Sequence, residues 1–381
     1  MIDARLDYTM RGGSHPNANI DNFERAIAEA ALKQFLISPF HQKKGLKWTY
    51  NWLYYSNFYA TQNPEVLKLI YKERPYPSFI EVETSTFCNL KCTMCEHSYW
   101  CEKNKNMTYE QFLHILNQFP RLKWIGLTGI GESYLNPDFE KIMTEVKRRG
   151  IFIENFDNFV LLNDKRAKKL IELKVDKIYV SLDGATKETY EKIRVGADFD
   201  KVINNIVTLD RLKKKYNSYE PEFWFHFIVS KDNKHEMIKY LELIHDLRID
   251  CRTVQYTILL HPYKEIKDKF VEVTDEEKQA VMQRGQELGL NVSFNMNTGC
   301  KNPLSNCTLW NMPFIFVDGT VIPCCSMNEQ NDRKWQVETS LGNIFKNSFR
   351  KIWYGKRYTN MCEKLSENKQ CAQCSRCFLY K

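Results

Sequence analysis

The sequence predicts an α/β chain built on parallel βα units, with a helical, aromatic-rich extension ahead of them and a small cysteine-rich module behind. Three observations carry this. Between residues 76 and 260, short β-branched and aromatic runs alternate with amphipathic helical patterns, the order in which parallel sheets are wound. Within residues 1–75, helical periodicity begins at Asn22. Eight of the thirteen cysteines lie beyond residue 299, around β-rich runs.

The first 18 residues are polar and read as loose. From Asn22, Phe23, Ala26, Ile27, Ala30, Leu32 and Phe35 trace one apolar helical face. The stretch 46–60, LKWTYNWLYYSNFYA, reads as a helix laying aromatic rings on the barrel; the alternative is a dock for substrate or partner. Strand-like runs follow at Phe79–Glu83, Trp124–Thr128, Phe152–Phe156, Lys177–Leu182, Trp224–Val229 and Thr253–Ile258. Helical patterns fall at about 108–118, 137–149, 164–173, 199–215 and 233–247. Asn136-Pro137-Asp138 opens the second of these with proline in its first turn, and Gly150 closes it. Residues 261–298 read as a bridge, with a helix capped by Thr274 and Glu277 and ended by Gly289.

Charged residues make up 27% and hydrophobic ones 43% of 381, a soluble globular balance. No apolar run approaches the roughly 20 residues of a membrane span, and the N-terminus lacks a basic-then-apolar signal pattern. The expectation is a cytoplasmic protein whose cysteines ligate metal or clusters rather than pair. Surface lysines such as those of 211–216 account for the net charge of +8. No basic run is interleaved with stacking aromatics, which argues against nucleic acid.

The stretch the rest is organised around is Cys88-Asn89-Leu90-Lys91-Cys92-Thr93-Met94-Cys95, directly after the strand 78–84. Strand exits are where α/β enzymes place chemistry. Closely spaced thiolates can wrap one face of an iron–sulfur cluster, and three ligands on a four-iron cluster leave one iron open. A zinc loop is the alternative, although zinc sites want four ligands. This CxxxCxxC, following a strand and Glu83-Thr84, resembles the cluster motif of the radical S-adenosylmethionine (SAM) enzymes. The resemblance implies a partial (β/α)6 barrel with a lateral opening, a 4Fe–4S cluster on Cys88, Cys92 and Cys95, and SAM bound to it. It also implies a low-potential electron donor such as flavodoxin or ferredoxin.

Thr128-Gly129-Ile130-Gly131-Glu132-Ser133 resembles the family's GGEP motif, with Ile130 inside it and Ser133 for proline. Glycine lets backbone approach a ligand and a carboxylate suits an ammonium, so Gly129, Gly131 and Glu132 are assigned to the amino end of SAM. Ser181-Leu182-Asp183-Gly184 resembles the family's Ser-[Ile/Leu]-Asp-Gly. By that resemblance Ser181, Asp183 and Arg194 belong to the cofactor site, with Ser181 and Arg194 at its ribose and carboxylate end. Asn158 stands where relatives often have Thr-Asn-Gly. His226 is read as a structural strand histidine, with a substrate-facing role as the alternative.

At the C-terminus, Asp318-Gly319 signals a hairpin that would bring Cys307 near Cys324. Cys371, Cys374 and Cys377 close the chain. The arrangement resembles the SPASM/Twitch extension, which binds auxiliary 4Fe–4S clusters. One auxiliary cluster is favoured over two, on Cys307, Cys324, Cys371 and Cys374, with Cys377 as a replacement ligand. Cys300 and Cys325 are spares, Cys325 a candidate acid or hydrogen donor, and Cys362 and Cys251 packing residues. A structural zinc site is again the alternative.

The family reaction cleaves SAM to methionine and a 5′-deoxyadenosyl radical, which takes a hydrogen atom from substrate. The favoured substrate is a small metabolite such as a sugar, nucleoside or cyclitol. A peptide or protein side chain is the alternative, weakened because no strand-rich leader-peptide module is legible in residues 1–75. A non-catalytic iron–sulfur protein is the third reading.

Overall fold

The structure, a computed structural model, describes residues 20–59, 63–99, 101–259, 264–295, 305, 307–328 and 332–377. Six parallel strands stand side by side in chain order: β1 (Phe79–Val82), β2 (Trp124–Leu127), β3 (Phe152–Asp157), β4 (Lys177–Ser181), β5 (Glu222–Val229) and β6 (Cys251–Ile258). Four helices precede them: α1 (Ile20–Ile37), α2 (Pro39–Lys44), α3 (Leu46–Phe58) and α4 (Pro64–Glu73). Between strands run α5 (Tyr109–Leu116), α6 (Phe139–Arg148), α7 (Asp164–Leu173), then both α8 (Lys187–Ile193) and α9 (Phe199–Lys215), and α10 (Met237–Asp246). This is the expected partial barrel.

The sheet does not stop at six strands. After α11 (Asp275–Glu287), β7 (Asn291–Asn295) adds in parallel to β6. On the other side β8 (Phe314–Ile315) pairs in parallel with β1 and continues antiparallel into β9 (Thr320–Ile322) and β10 (Gly342–Asn343). The segment read as a bridge and the cysteine hairpin both end on the barrel's own ten-stranded sheet. An edge strand presents unpaired amides and carbonyls, and β8 takes up those of β1: Glu81 N–H donates to Pro313 at 3.0 Å and Glu83 N–H to Ile315 at 2.9 Å. The module is completed by α12 (Cys325–Asn328), α13 (Arg333–Glu338), α14 (Phe349–Trp353) and α15 (Lys356–Ser366).

Local readings mostly hold. Thr274 and Glu277 form the capping box of α11, and Gly150, Gly289 and Gly319 take positive φ at their turns. Two are corrected. Pro137 lies ahead of α6, not in its first turn, because Asn136 makes a turn of its own: its side-chain oxygen accepts from Asp138 N–H, and its amide donates to Thr84 and Met107 carbonyls. On α1, Leu32 points to solvent, and the buried stripe is Phe23, Ile27 and Ala31, a cleaner i, i+4 register.

Helix α3 packs beneath the barrel as expected. The Tyr55 ring lies 4.9 Å from Trp124 and 5.7 Å from Phe79, and Trp124 stacks on Phe152 at 3.6 Å. All three partners are first residues of their strands. Above this floor burial alternates along β3, β4 and β5. On β5, Phe223, Phe225 and Phe227 are fully covered, while Glu222, Trp224, His226 and Ile228 keep partial exposure. Glu81, Glu154, Phe156, Tyr179, Ser181, Gln255 and Thr257 are likewise half-buried on their strands. Period-two exposure of this kind marks the lumen face.

Among the described residues no helix is long and apolar enough to cross a membrane.

Candidate active site

The cysteine loop leaves β1 and is tied down on all sides by backbone. Thr86 N–H donates to Lys105, Met107 N–H to Thr84, and Thr93 N–H to Ile193. Lys91 and Cys92 pair antiparallel with Val195 and Arg194, which sets the arginine after α8 against the loop. Beneath lies a small apolar cluster of Leu90, Cys92, Met94, Ile193, Leu259 and Ile266. Burial raises all three thiols, Cys92 to about 11 and Cys95 to about 12. Metal binding deprotonates such thiols outright.

The glycine motif leaves β2 directly against this loop. A Cβ on Gly131 would lie 2.5 Å from the carbonyl oxygens of both Phe87 and Ser85, and one on Gly129 2.5 Å from Glu83 Cγ. Glu132 N–H donates to Phe87 at 2.7 Å. The Glu132 carboxylate accepts from Tyr134 N–H (3.3 Å) and Asn158 N–H (3.1 Å). Burial first, then the neighbouring Asp157, pushes Glu132 up to about 8; a cationic ligand would restore its charge. Asn158 joins the groups, since its side chain also donates to Asn89 of the cysteine loop at 3.0 Å.

Asp183 is wholly buried and both its oxygens are taken. Oδ1 accepts from Ile228 N–H (2.7 Å) and Oδ2 from Arg194 Nε (2.7 Å) and Nη2 (2.5 Å). It therefore acts on a cofactor only through Arg194, whose Nη1 lies 4.0 Å from Cys92 Sγ. Ser181 is paired in register with His226 on the lumen face. His226 is bound to Thr257 Oγ1 at 2.8 Å and packs edge-on against Phe156 and Tyr179; burial lowers it to about 4, so it is neutral.

The second cysteine group forms under the hairpin. Cys307, Cys324 and Cys371 all lie near enough to Cys374 to raise its thiol, and Cys371, sharing a hydrogen bond with Cys374, is lowered to about 7. Around them Tyr71 donates to the Cys307 carbonyl at 3.2 Å and stacks on Trp310 at 5.3 Å, and Tyr358 donates to Trp310. Cys377 N–H donates to the Cys374 carbonyl at 3.0 Å, and its Sγ lies 3.7 Å from Ser326 Oγ of α12. Cys325 stands near Tyr55, while Cys362 is buried on α15 beside Tyr358 and Cys371. Cys251 is buried at the start of β6, and Cys300 lies outside the described residues. Among the described residues no three His, Cys, Asp or Glu side chains converge as one metal ion requires; a cubic cluster spreads its thiolates over several irons.

The radical SAM superfamily profile matches residues 82–244, and that of SPASM, an iron-sulfur cluster-binding domain, matches residues 307–378. This chain is a radical SAM enzyme with a SPASM domain. A cofactor-modifying protein of tungsten-containing aldehyde ferredoxin oxidoreductase from Pyrococcus furiosus is 28% identical over 299 residues, 74% of this chain and 82% of that one. A GTP 3′,8-cyclase of Limosilactobacillus fermentum is 24% identical, covering 67% and 82%. Streptococcus suis SuiB bound to S-adenosylmethionine shares the fold with a TM-score of 0.62 at 16% identity, over 95% of this chain and 81% of that one. The enzyme anSMEcpe with bound AdoMet and a peptide does so with a TM-score of 0.56 at 20% identity, over 80% and 86%.

Radical SAM enzymes bind a 4Fe–4S cluster with SAM, and SPASM domains bind auxiliary iron–sulfur clusters. The residues fit both. Three thiols share one loop, the cradle at Gly131 has no room for a side chain, and four thiols gather under the hairpin. Sequence reasoning passed over Asp157 and Glu83. Asp157 differs from a surface turn residue only by its burial. Glu83 was visible only as the end of the strand ahead of the cysteine motif, and its partner Arg333 lies 250 residues further on.

Proposed function

We propose that this radical SAM enzyme oxidises a small, ring-bearing metabolite or cofactor held in the barrel lumen. The lumen face carries the reading. Phe156, Tyr179 and Trp224 offer aromatic surface, Tyr179 stacking on Phe156 at 4.2 Å, and a planar ring stacks on such walls. Glu154, with Lys177 at 3.6 Å, and His226 on Thr257 offer polar groups that would orient it. Sequence relatives that include a cofactor-modifying protein, GTP cyclases and a haem synthase support a small substrate.

When bound, the cluster and SAM supply a 5′-deoxyadenosyl radical that removes a hydrogen atom from substrate. The chain does the rest. Cys88, Cys92 and Cys95 hold the cluster and leave one iron for the cofactor. Glu132 receives the cofactor's ammonium, Gly129 and Gly131 let backbone come close, and Ser181 and Arg194 face its ribose and carboxylate, Asp183 fixing the arginine. Cys307, Cys324, Cys371 and Cys374 would hold one auxiliary cluster, which would supply an acceptor for one electron of the substrate radical as its proton leaves to solvent. A low-potential donor of the flavodoxin or ferredoxin type supplies the first electron.

The test is deoxyadenosine formation by anaerobically reconstituted, reduced enzyme given ultrafiltered small molecules or the retained peptide fraction. Stimulation by the small molecules is expected. Stimulation by peptides alone would establish the alternative, a peptide or protein side chain, which the peptide-bound fold relatives represent.

A further inference from the structure

One buried carboxylate joins three parts of the molecule, and the reaction as read above gives it no role. Glu83 follows β1, is fully buried, and belongs neither to the cysteine motif nor to the glycine motif. Its Oε1 accepts from Ile130 N–H at 3.2 Å, inside the glycine motif, and from Arg333 Nη2 at 2.7 Å, at the start of α13. Its Oε2 accepts from Val317 N–H at 3.2 Å, in the hairpin turn of the SPASM domain. Its Cγ occupies the space a Gly129 side chain would need. Arg333 Cζ lies over the Phe316 ring, 3.5 Å from its centre.

The network continues outward from Arg333. Asp332 caps α13 by accepting from Trp335 N–H at 3.0 Å. Its other oxygen accepts from Arg376 Nη1 at 2.8 Å, and Arg376 lies 4.6 Å over the Trp335 ring. Arg376 sits between Cys374 and Cys377. An unbroken chain of contacts therefore runs from the last cysteine loop, through Asp332 and Arg333, to the backbone that faces the cofactor.

We propose that Glu83 and Arg333 are positioning residues through which the SPASM domain holds the cofactor loop in its binding shape. A buried carboxylate without its cation is strongly disfavoured. With Arg333 absent, Glu83 has no cation to hold it in place and turns away, and the Ile130 amide loses its acceptor. The glycine loop then relaxes, since Gly129 and Gly131 have few conformational restraints of their own. The inference rests on Gly129–Glu132 being the SAM loop.

The test uses full-length holoenzyme, reconstituted anaerobically. SAM binding is read from the change it causes in the electron paramagnetic resonance spectrum of the reduced cluster, together with iron content. Arg333→Met and Glu83→Gln are each expected to weaken SAM binding about tenfold with iron content unchanged. The double variant should be no weaker than either single one, as members of one network are non-additive. Arg333→Lys, which keeps the charge, should restore most of the affinity. Arg376→Ala, at the exposed end, should weaken binding about twofold.

Unchanged SAM affinity in iron-replete Arg333→Met overturns the proposal, and so does a double variant whose loss is the product of the two singles. If Glu83→Gln does not fold, Arg333→Met and its lysine counterpart decide alone. Wild-type enzyme whose spectrum ignores SAM would sink the functional reading itself, a result distinct from variants that match a responsive wild type.

Discussion

The cysteine loop after β1 and the cysteine group under the C-terminal hairpin hold thiols in opposite surroundings. Around the first stand charged and polar groups: Arg194 and Asp183, Glu132 and Asp157, Asn158 and Asn89. Around the second stand rings: Tyr71 and Tyr358, each packed on Trp310. The first also has three motif cysteines, the second four gathered and Cys362 beside them. A cluster that must take a zwitterionic ligand needs an open coordination site and partners for ammonium and carboxylate. A cluster that moves electrons or braces the chain needs four ligands and a dry shell, because burial and hydrogen bonding tune its potential. The contrast sets a site built to take a polar ligand against one built to enclose a cluster.

The sharpest way to break this contrast is to remove one thiol from each side. Cys92→Ala should abolish deoxyadenosine formation, a loss of at least about a thousandfold, since the cofactor's only docking iron goes with the cluster. About half the iron should remain, on the auxiliary side, with its absorbance near 400 nm. Cys371→Ala should also lose about half the iron, yet deoxyadenosine should still form while product disappears. Product surviving in that variant would make the auxiliary cluster a brace rather than an electron acceptor.

Smaller changes sharpen the polar side of the comparison. Gly131→Ala puts a methyl against two carbonyl oxygens. It should destabilise the loop by about 1–3 kcal/mol and weaken SAM binding while leaving auxiliary iron in place, measured by titration of the reduced enzyme. The smallest effect lies in the lumen. His226 titrates at about 4 in the fold against about 6.5 when unfolded. Between those values the unfolded chain binds a proton that the folded chain does not, so stability falls as pH falls. From pH 7 to about 5.5 the loss is about 1 kcal/mol, and His226→Gln should remove that part of the pH dependence of thermal unfolding.

Much of this was legible in residue order because the signals were local. Period-two and period-3.6 patterns placed all six barrel strands and ended α7 and α9 at their observed residues, and eight consecutive residues announced the cluster loop. What was not legible depends on contacts between distant segments. Short α8 is a seven-residue helix with too few turns to show a period. Strand β8 is two residues long, and its place beside β1 is a matter of edge pairing. Asp183 was grouped with the cofactor contacts by its motif, but its role is to hold Arg194 eleven residues on. Glu83 looked like part of a strand until Arg333 reached it.

The pairing of β8 with β1 also governs how the molecule can be cut. Shortened to end before residue 307, the enzyme would bare one whole margin of its sheet, a row of amide donors and carbonyl acceptors with nothing to satisfy them. Such a fragment would seek a second copy of itself. The C-terminal segment is the hem of the cloth, and a barrel expressed without it should come out of the cell as aggregate.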